Sequence, residues 1–122
     1  MPVSSVVRDR CRTLLRPDET IRYIFPALSV GPRGVANYLI VVSDLHVSVL
    51  ATRMLRGDRP VSVYATYPRE TRLGPLVLVP APTIELGRMA FELDDEYAAV
   101  VAAADAEVFT PELMPLDPLP DL

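Results

Sequence analysis

Val3, Val7, Cys11 and Leu14 recur at spacings of four, four and three, the period of one helix face, and Ser4 or Ser5 stands where the first turn needs a cap. The spacing predicts a short amphipathic helix over residues 4–15, ended by Pro17. Arg8, Arg12 and Arg16 repeat at intervals of four on another face, a basic stripe beside the apolar one. Membrane-surface helices have that pattern, but this run is short and carries no Trp or Phe, so packing against the body of the domain is the expected role.

From Glu19 to Leu93 the period changes to two. Ile21, Tyr23, Phe25 and Ala27 alternate with Thr20, Arg22 and Ile24, up to the turn residues Gly31, Pro32 and Gly34. A nearly continuous apolar run, Ala36 to Ser43, predicts a second strand, and Ser43 to His46 a tight turn into a third, His46 to Arg53. Gly57, Asp58, Arg59 and Pro60 read as the next loop and Val61 to Tyr67 as the fourth strand, broken by Pro68. Residues 71–79 and 83–86 predict two more strands, and Gly87-Arg88 a hairpin turn before Met89 to Leu93. Asp94 and Asp95 suit a helix start, and Tyr97, Val101, Ala104 and Val108 form one apolar stripe on a helix from Asp95 to Val108. Seven short strands closed by a C-terminal helix point to a mostly β fold with flanking helices, a small antiparallel sandwich or barrel with a helical cap.

At 122 residues and 13.4 kDa the chain fits one domain, large enough to fold without a metal or disulfide staple. It divides into the N-terminal helix at 1–17, a body at 18–109 and a tail at 110–122, set apart by Pro111, Pro115, Pro118 and Pro120. The lone Cys11 excludes an intramolecular disulfide, and the N-terminus has no long apolar run, so the expected setting is reduced and cytoplasmic. Net charge is -4, but residues 1–74 hold eleven Arg against six acids and residues 75–122 one Arg, Arg88, against ten acids. The basic part suits an anionic partner, while a pI near 4.9 argues against a dedicated nucleic-acid binder.

Several segments together resemble a known family. They are Leu15-Arg16-Pro17-Asp18-Glu19, Tyr23-Ile24-Phe25-Pro26, Val41-Val42-Ser43-Asp44, Arg59-Pro60-Val61-Ser62-Val63, Pro68-Arg69-Glu70-Thr71-Arg72-Leu73-Gly74-Pro75 and Ala103-Ala104-Asp105-Ala106. Their order is similar to that in a family of small, mostly uncharacterised actinobacterial proteins with a pleckstrin-homology-like (PH-like) fold, over about residues 6–108. Leu76 to Val79 and Gly87-Arg88 depart from the family's usual Trp and Gly-Gly turn, the mark of a divergent, conceivably phage-encoded (bacteriophage) member. The resemblance implies a fold that binds lipid headgroups, peptides and proteins and has no chemistry of its own; function still has to be argued from sites.

In an up-and-down meander the turns after the first and third strands fall at one end, which groups Arg33 with Arg53, Arg56 and Arg59. By resemblance the loop between the last two strands opens at the same end and adds Arg88. Such a rim is suited to hold phosphate or carboxylate groups. Ser43, Asp44 and His46 straddle one tight turn, where a base cannot readily touch both a nucleophile and a carboxylate, so no catalytic assignment follows. His46 is the only His and Cys11 the only Cys, Gly31-Pro32-Arg33-Gly34 lacks the Lys of a phosphate loop, and no cofactor or metal is expected. Asp94, Asp95 and Glu96 are accounted for by a helix start. In the tail, Leu113, Met114, Leu116 and Leu119 alternate with prolines and acids, a composition suited to docking on a partner or a neighbouring copy, homo-oligomer included. The leading expectation is a non-catalytic module that binds a protein or peptide. The alternative is a peripheral binder of anionic lipid headgroups at the inner face of the membrane, through the arginine rim.

Overall fold

The computed structural model describes residues 3–31, 34–53, 56–78 and 80–108. Helix α1 (Ser5–Arg12) precedes strands β1 (Ile21–Gly31), β2 (Gly34–Ser43), β3 (His46–Arg53), β4 (Arg56–Pro68), β5 (Thr83–Leu86) and β6 (Met89–Glu92). A 3-10 turn at Asp95–Tyr97 then leads into helix α2 (Ala98–Val108). The strands form one antiparallel sheet in the order β4-β3-β2-β1-β6-β5, curled into a half barrel.

Both faces of the sheet are buried at its centre, which is why β2 reads as an uninterrupted apolar run. Ile40 and Val42 face the inside of the curl with Phe25, Val47 and Phe91, closed over by Val101 and Ala104 of α2. Leu39 and Val41 point the other way and meet Val7 and Cys11 of α1, with Ile24 and Leu50. The period-four stripe of α1 thus finds its counterpart on the outer face, and the Ser4 hydroxyl caps the helix by accepting from the Val7 N–H at 3.3 Å. Burial pushes the Cys11 thiol up to about 11, against the opposing pull of the Arg8 charge. The expected face of α2 is also seen, with Tyr97, Val101 and Ala104 buried.

Two strand expectations change. There are six strands among the described residues, not seven: segment 71–79 contributes only the isolated bridge of Val77 to Thr83. Leu73 is nevertheless buried, so that segment enters the core as extended chain tied by side chains and not by a ladder. Residues 57–60, expected as a loop, belong to β4. Their turn-forming composition is accommodated because β4 carries register shifts: Ala65 opposes Val49, Val63 opposes Leu50 and Pro60 opposes Thr52, so Tyr64 and Val61 are extra residues with no partner on β3. Pro60 is tolerated there because β4 is an edge strand. Asp94 occupies the cap position before the 3-10 turn but makes no side-chain capping bond.

Candidate functional site

The sheet has two unlike ends. At the end holding the β2–β3 turn, carboxylates tie distant segments together. Glu19, whose side chain is only 4% exposed, accepts from the Ser43 hydroxyl at 2.5 Å and lies 3.2 Å from His46 Nδ1. Ser43 Oγ in turn accepts from the amides of Leu45 and His46, and Asp44 accepts from the Thr20 amide at 2.8 Å. Ser43 and His46 are therefore bridged by a carboxylate that the sequence analysis did not single out, and Asp44 faces elsewhere. The hydroxyl donates to Glu19 and not to the imidazole, an arrangement that ties the β2–β3 turn to the segment before β1.

At that same end Glu107, in the last turn of α2, takes hydrogen bonds from the Tyr23 hydroxyl, Arg22 and Arg69. The Tyr23 bond and the two guanidiniums hold its carboxyl below the usual glutamate range, and the same bond raises the Tyr23 phenol. Arg69 also donates to the Ala104 carbonyl at 3.0 Å, fixing the end of α2 beside the end of β4. Asp105 accepts from the amides of Leu73 and Gly74 at 2.9 and 2.8 Å. A groove of about 350 Å3 between α2 and residues 72–76 is lined by this carboxylate with Leu76 and Val101, but Asp105 is already occupied by backbone.

The opposite end is basic. The β3–β4 register sets the backbone of Arg53 across from that of Arg56. Arg59 follows on β4, and its buried Nε has no hydrogen-bond partner among the described residues. Gly31 pairs with Gly34 at this end too, while Arg33 between them lies outside the described residues, as do Leu113, Met114, Leu116 and Leu119. Arg88 is exposed. Its neighbour Gly87, with φ of +61°, turns so close to Tyr67 that an added Cβ would lie 2.6 Å from the phenol oxygen. Tyr67 pairs with Val47, near the end of β4 away from Arg56. Along α1, Arg12 pairs with Asp9 at 2.7 Å, and beyond it Arg16 pairs with Asp18 at 3.4 Å, which offsets part of the basic stripe.

Between the two ends runs the outer edge of β4. Its residues Val61, Val63 and Tyr64 are 48%, 43% and 56% exposed, a concentration of apolar surface on one edge strand. Tyr64 is not loose: its ring meets Tyr38 edge-on at 5.4 Å, and Tyr38 meets Phe91 at 5.5 Å, so an aromatic chain links this edge to the core. The other sheet edge differs, for β5 is four residues long and is covered in part by the Val77 bridge. Sequence periodicity marked Val61 and Val63 as one face of a strand; it gave no sign that the strand would lie at an edge.

Among the described residues no group of three or more His, Cys, Asp or Glu side chains could hold a metal ion, and no helix is long and apolar enough to cross a membrane. Comparison with protein-family models, curated proteins and solved structures gives no match to this chain.

Proposed function

We propose that this protein is a non-catalytic interaction module that docks an extended segment of a protein partner along the outer edge of β4. One observation carries the reading: a 13-residue edge strand whose bulged stretch exposes Val61, Val63 and Tyr64 and ends in Arg59 and Arg56. Bulges interrupt the ladder and re-aim side chains, so recognition would rest on packing against these residues as much as on backbone pairing. The ligand chemistry that matches is an apolar extended segment with acidic residues toward the Arg56 end. The family resemblance is in keeping with this reading, since PH-like folds bind peptides and proteins.

A probe of alternating valine and threonine closed by two aspartates, labelled with fluorescein, tests it by fluorescence anisotropy. Saturable binding that is lost in a Val61→Lys, Tyr64→Lys double variant supports the edge as the site. Absence of saturable binding, or binding indifferent to those substitutions, overturns it. Val61 is exposed and its change should cost no more than roughly 0.5 kcal/mol, while loss of the Tyr64–Tyr38 contact should cost about 1 kcal/mol, well short of unfolding the domain.

The β3–β4 register, which sets the backbones of Arg53 and Arg56 opposite one another with Arg59 three residues on, favours a second reading in which the basic end meets anionic lipid headgroups. Co-sedimentation with phosphatidylserine vesicles but not phosphatidylcholine vesicles, reversed by salt, would favour it, because a charge-driven contact weakens with ionic strength.

A further inference from the structure

We infer that two copies of this chain pair through the outer edges of their β4 strands, antiparallel about a twofold axis at Tyr64 and Ala65. This rests on the reading of the β4 edge as a docking surface and names the partner as a second copy. The argument begins with the direction of the backbone groups. The Arg69 N–H donates to the Leu45 carbonyl at 3.2 Å, and these residues stand opposite one another one step beyond the pair of Pro68 and His46. Bonded and non-bonded positions alternate along an antiparallel pair. Tyr67 and Ala65 therefore turn their backbone groups to β3, while Thr66 and Pro68 turn theirs outward. Carried through the register shifts, which absorb Tyr64 and Val61, the outward residues of β4 are Pro60, Val63, Thr66 and Pro68. They oppose Thr52, Leu50, Ser48 and His46, every second residue of β3, so they are evenly spaced although their numbers are not.

That edge reads the same in both directions: proline, donor, donor, proline. Neither proline has an N–H, which leaves the Val63 and Thr66 amides as the free donors between them. Val63, Thr66 and Pro68 are exposed, so the edge is open to a second strand. An antiparallel copy sets Val63 opposite Thr66 and Pro60 opposite Pro68, with the bulge at Tyr64 facing its own image. Two amides from each copy then meet carbonyls, four bonds in all, and Val63 and Thr66 form a cross-strand pair of β-branched side chains. Charge agrees at both ends. Arg59 lies beyond Pro60, and beyond Pro68 come Arg69 and Glu70. Arg69 is only 12% exposed and bonds Glu107, so the exposed charge at that turn is the Glu70 carboxylate. Each Arg59 is thus brought toward the Glu70 of the other copy. The contact is closed by its own symmetry and does not propagate. An edge pair covers less than the roughly 1,200 Å2 of a stable interface, so the association is weak and concentration-dependent.

The test uses the full chain at about 10 μM and about 1 mM, a range that spans a weak dimer. Sedimentation velocity should show a reversible passage from monomer to dimer. Hydrogen exchange on the 15N-labelled chain should slow at the Val63 and Thr66 amides, about tenfold where nine-tenths of the chains are paired, while Ala65 and Tyr67, bonded to β3, exchange equally at both concentrations. Thr66→Pro deletes two of the four donors and should weaken dimerisation at least about tenfold. Val63→Lys, which leaves the backbone unchanged at an exposed site, should do the same if the proline disturbs the strand. A chain that stays monomeric at the higher concentration overturns the inference, and so does a dimer in which Val63 and Thr66 exchange as they do in the monomer. If the valine-threonine-aspartate probe binds a chain that remains monomeric, self-pairing fails and the edge reading stands. Should the chain dimerise through Val63 and Thr66 while the probe fails to bind even the dilute monomer, self-pairing holds and the edge as a site for other segments falls.

Discussion

The two ends of the sheet meet the same problem, charged side chains beside backbone, in opposite ways. Around the β2–β3 turn three acids are matched: Glu19 by Ser43 and His46, Asp44 by the Thr20 amide, Glu107 by Tyr23, Arg22 and Arg69. Around the β3–β4 turn Arg53 opposes Arg56, and Arg59 keeps a buried nitrogen without an acceptor. A buried polar group that is matched contributes to the fold, whereas one left unmatched costs it. The first end is therefore held by matched groups, while the second carries at Arg59 a donor that is not. Substitutions at the two ends should differ accordingly in stability.

The largest effect is expected at Asp105, which belongs to the matched group. Its carboxylate holds the Leu73 and Gly74 amides and so anchors buried Leu73, in a segment that no ladder supports. Asp105→Ala should lower the unfolding free energy by about 3 kcal/mol in urea titration, since two charge-assisted bonds to backbone are lost together. A loss below about 0.5 kcal/mol, the size of an ordinary surface substitution, would mean that the carboxylate does not hold this segment and that the contrast between the ends has been overdrawn.

How far the sequence reveals these features depends on the range of the interaction behind them. β3 was legible to the residue, because its boundaries are set by neighbouring turn residues and Val47, Val49 and Ala51 mark one face. The faces of α1 and α2 were equally legible, because helical period is a local property. The start of β4 was not: Gly57, Asp58 and Pro60 have turn composition, and only the register shifts against β3 make room for them in a strand. Glu19 left no local signal, since its partners Ser43 and His46 lie 24 and 27 residues away along the chain. The nearness of Arg53, Arg56 and Arg59 could be read from meander parity alone.

Glu107 sharpens the comparison through pH. Its carboxyl is held below the ordinary 4.5, so the contact stabilises the fold fully above that value and its contribution disappears as pH falls through the lowered one. Tyr23 is raised, so its share is lost on the alkaline side, as pH climbs past 10.0. Glu107→Gln should flatten the acid limb of the stability profile and reduce stability at neutral pH by up to about 1 kcal/mol, the range of a partly exposed ion pair. An acid limb identical to that of the unsubstituted protein would show that the end of α2 is held by something other than this cluster.

The smallest effect is expected at Arg59, and its smallness is informative. A guanidinium with an unmatched buried nitrogen stabilises little, and its aliphatic stem can be replaced by Leu without loss of packing. Arg59→Leu should therefore change the unfolding free energy by no more than roughly 0.5 kcal/mol in either direction, and a small gain would be in keeping with removal of the unsatisfied donor. The same variant should lose its hold on acidic ligands at the β4 edge, so that stability and binding separate at one residue. If Arg59→Leu instead destabilised the protein as strongly as Asp105→Ala, the nitrogen would have a partner in solution, and the basic end would have to be counted with the matched one as part of the scaffold.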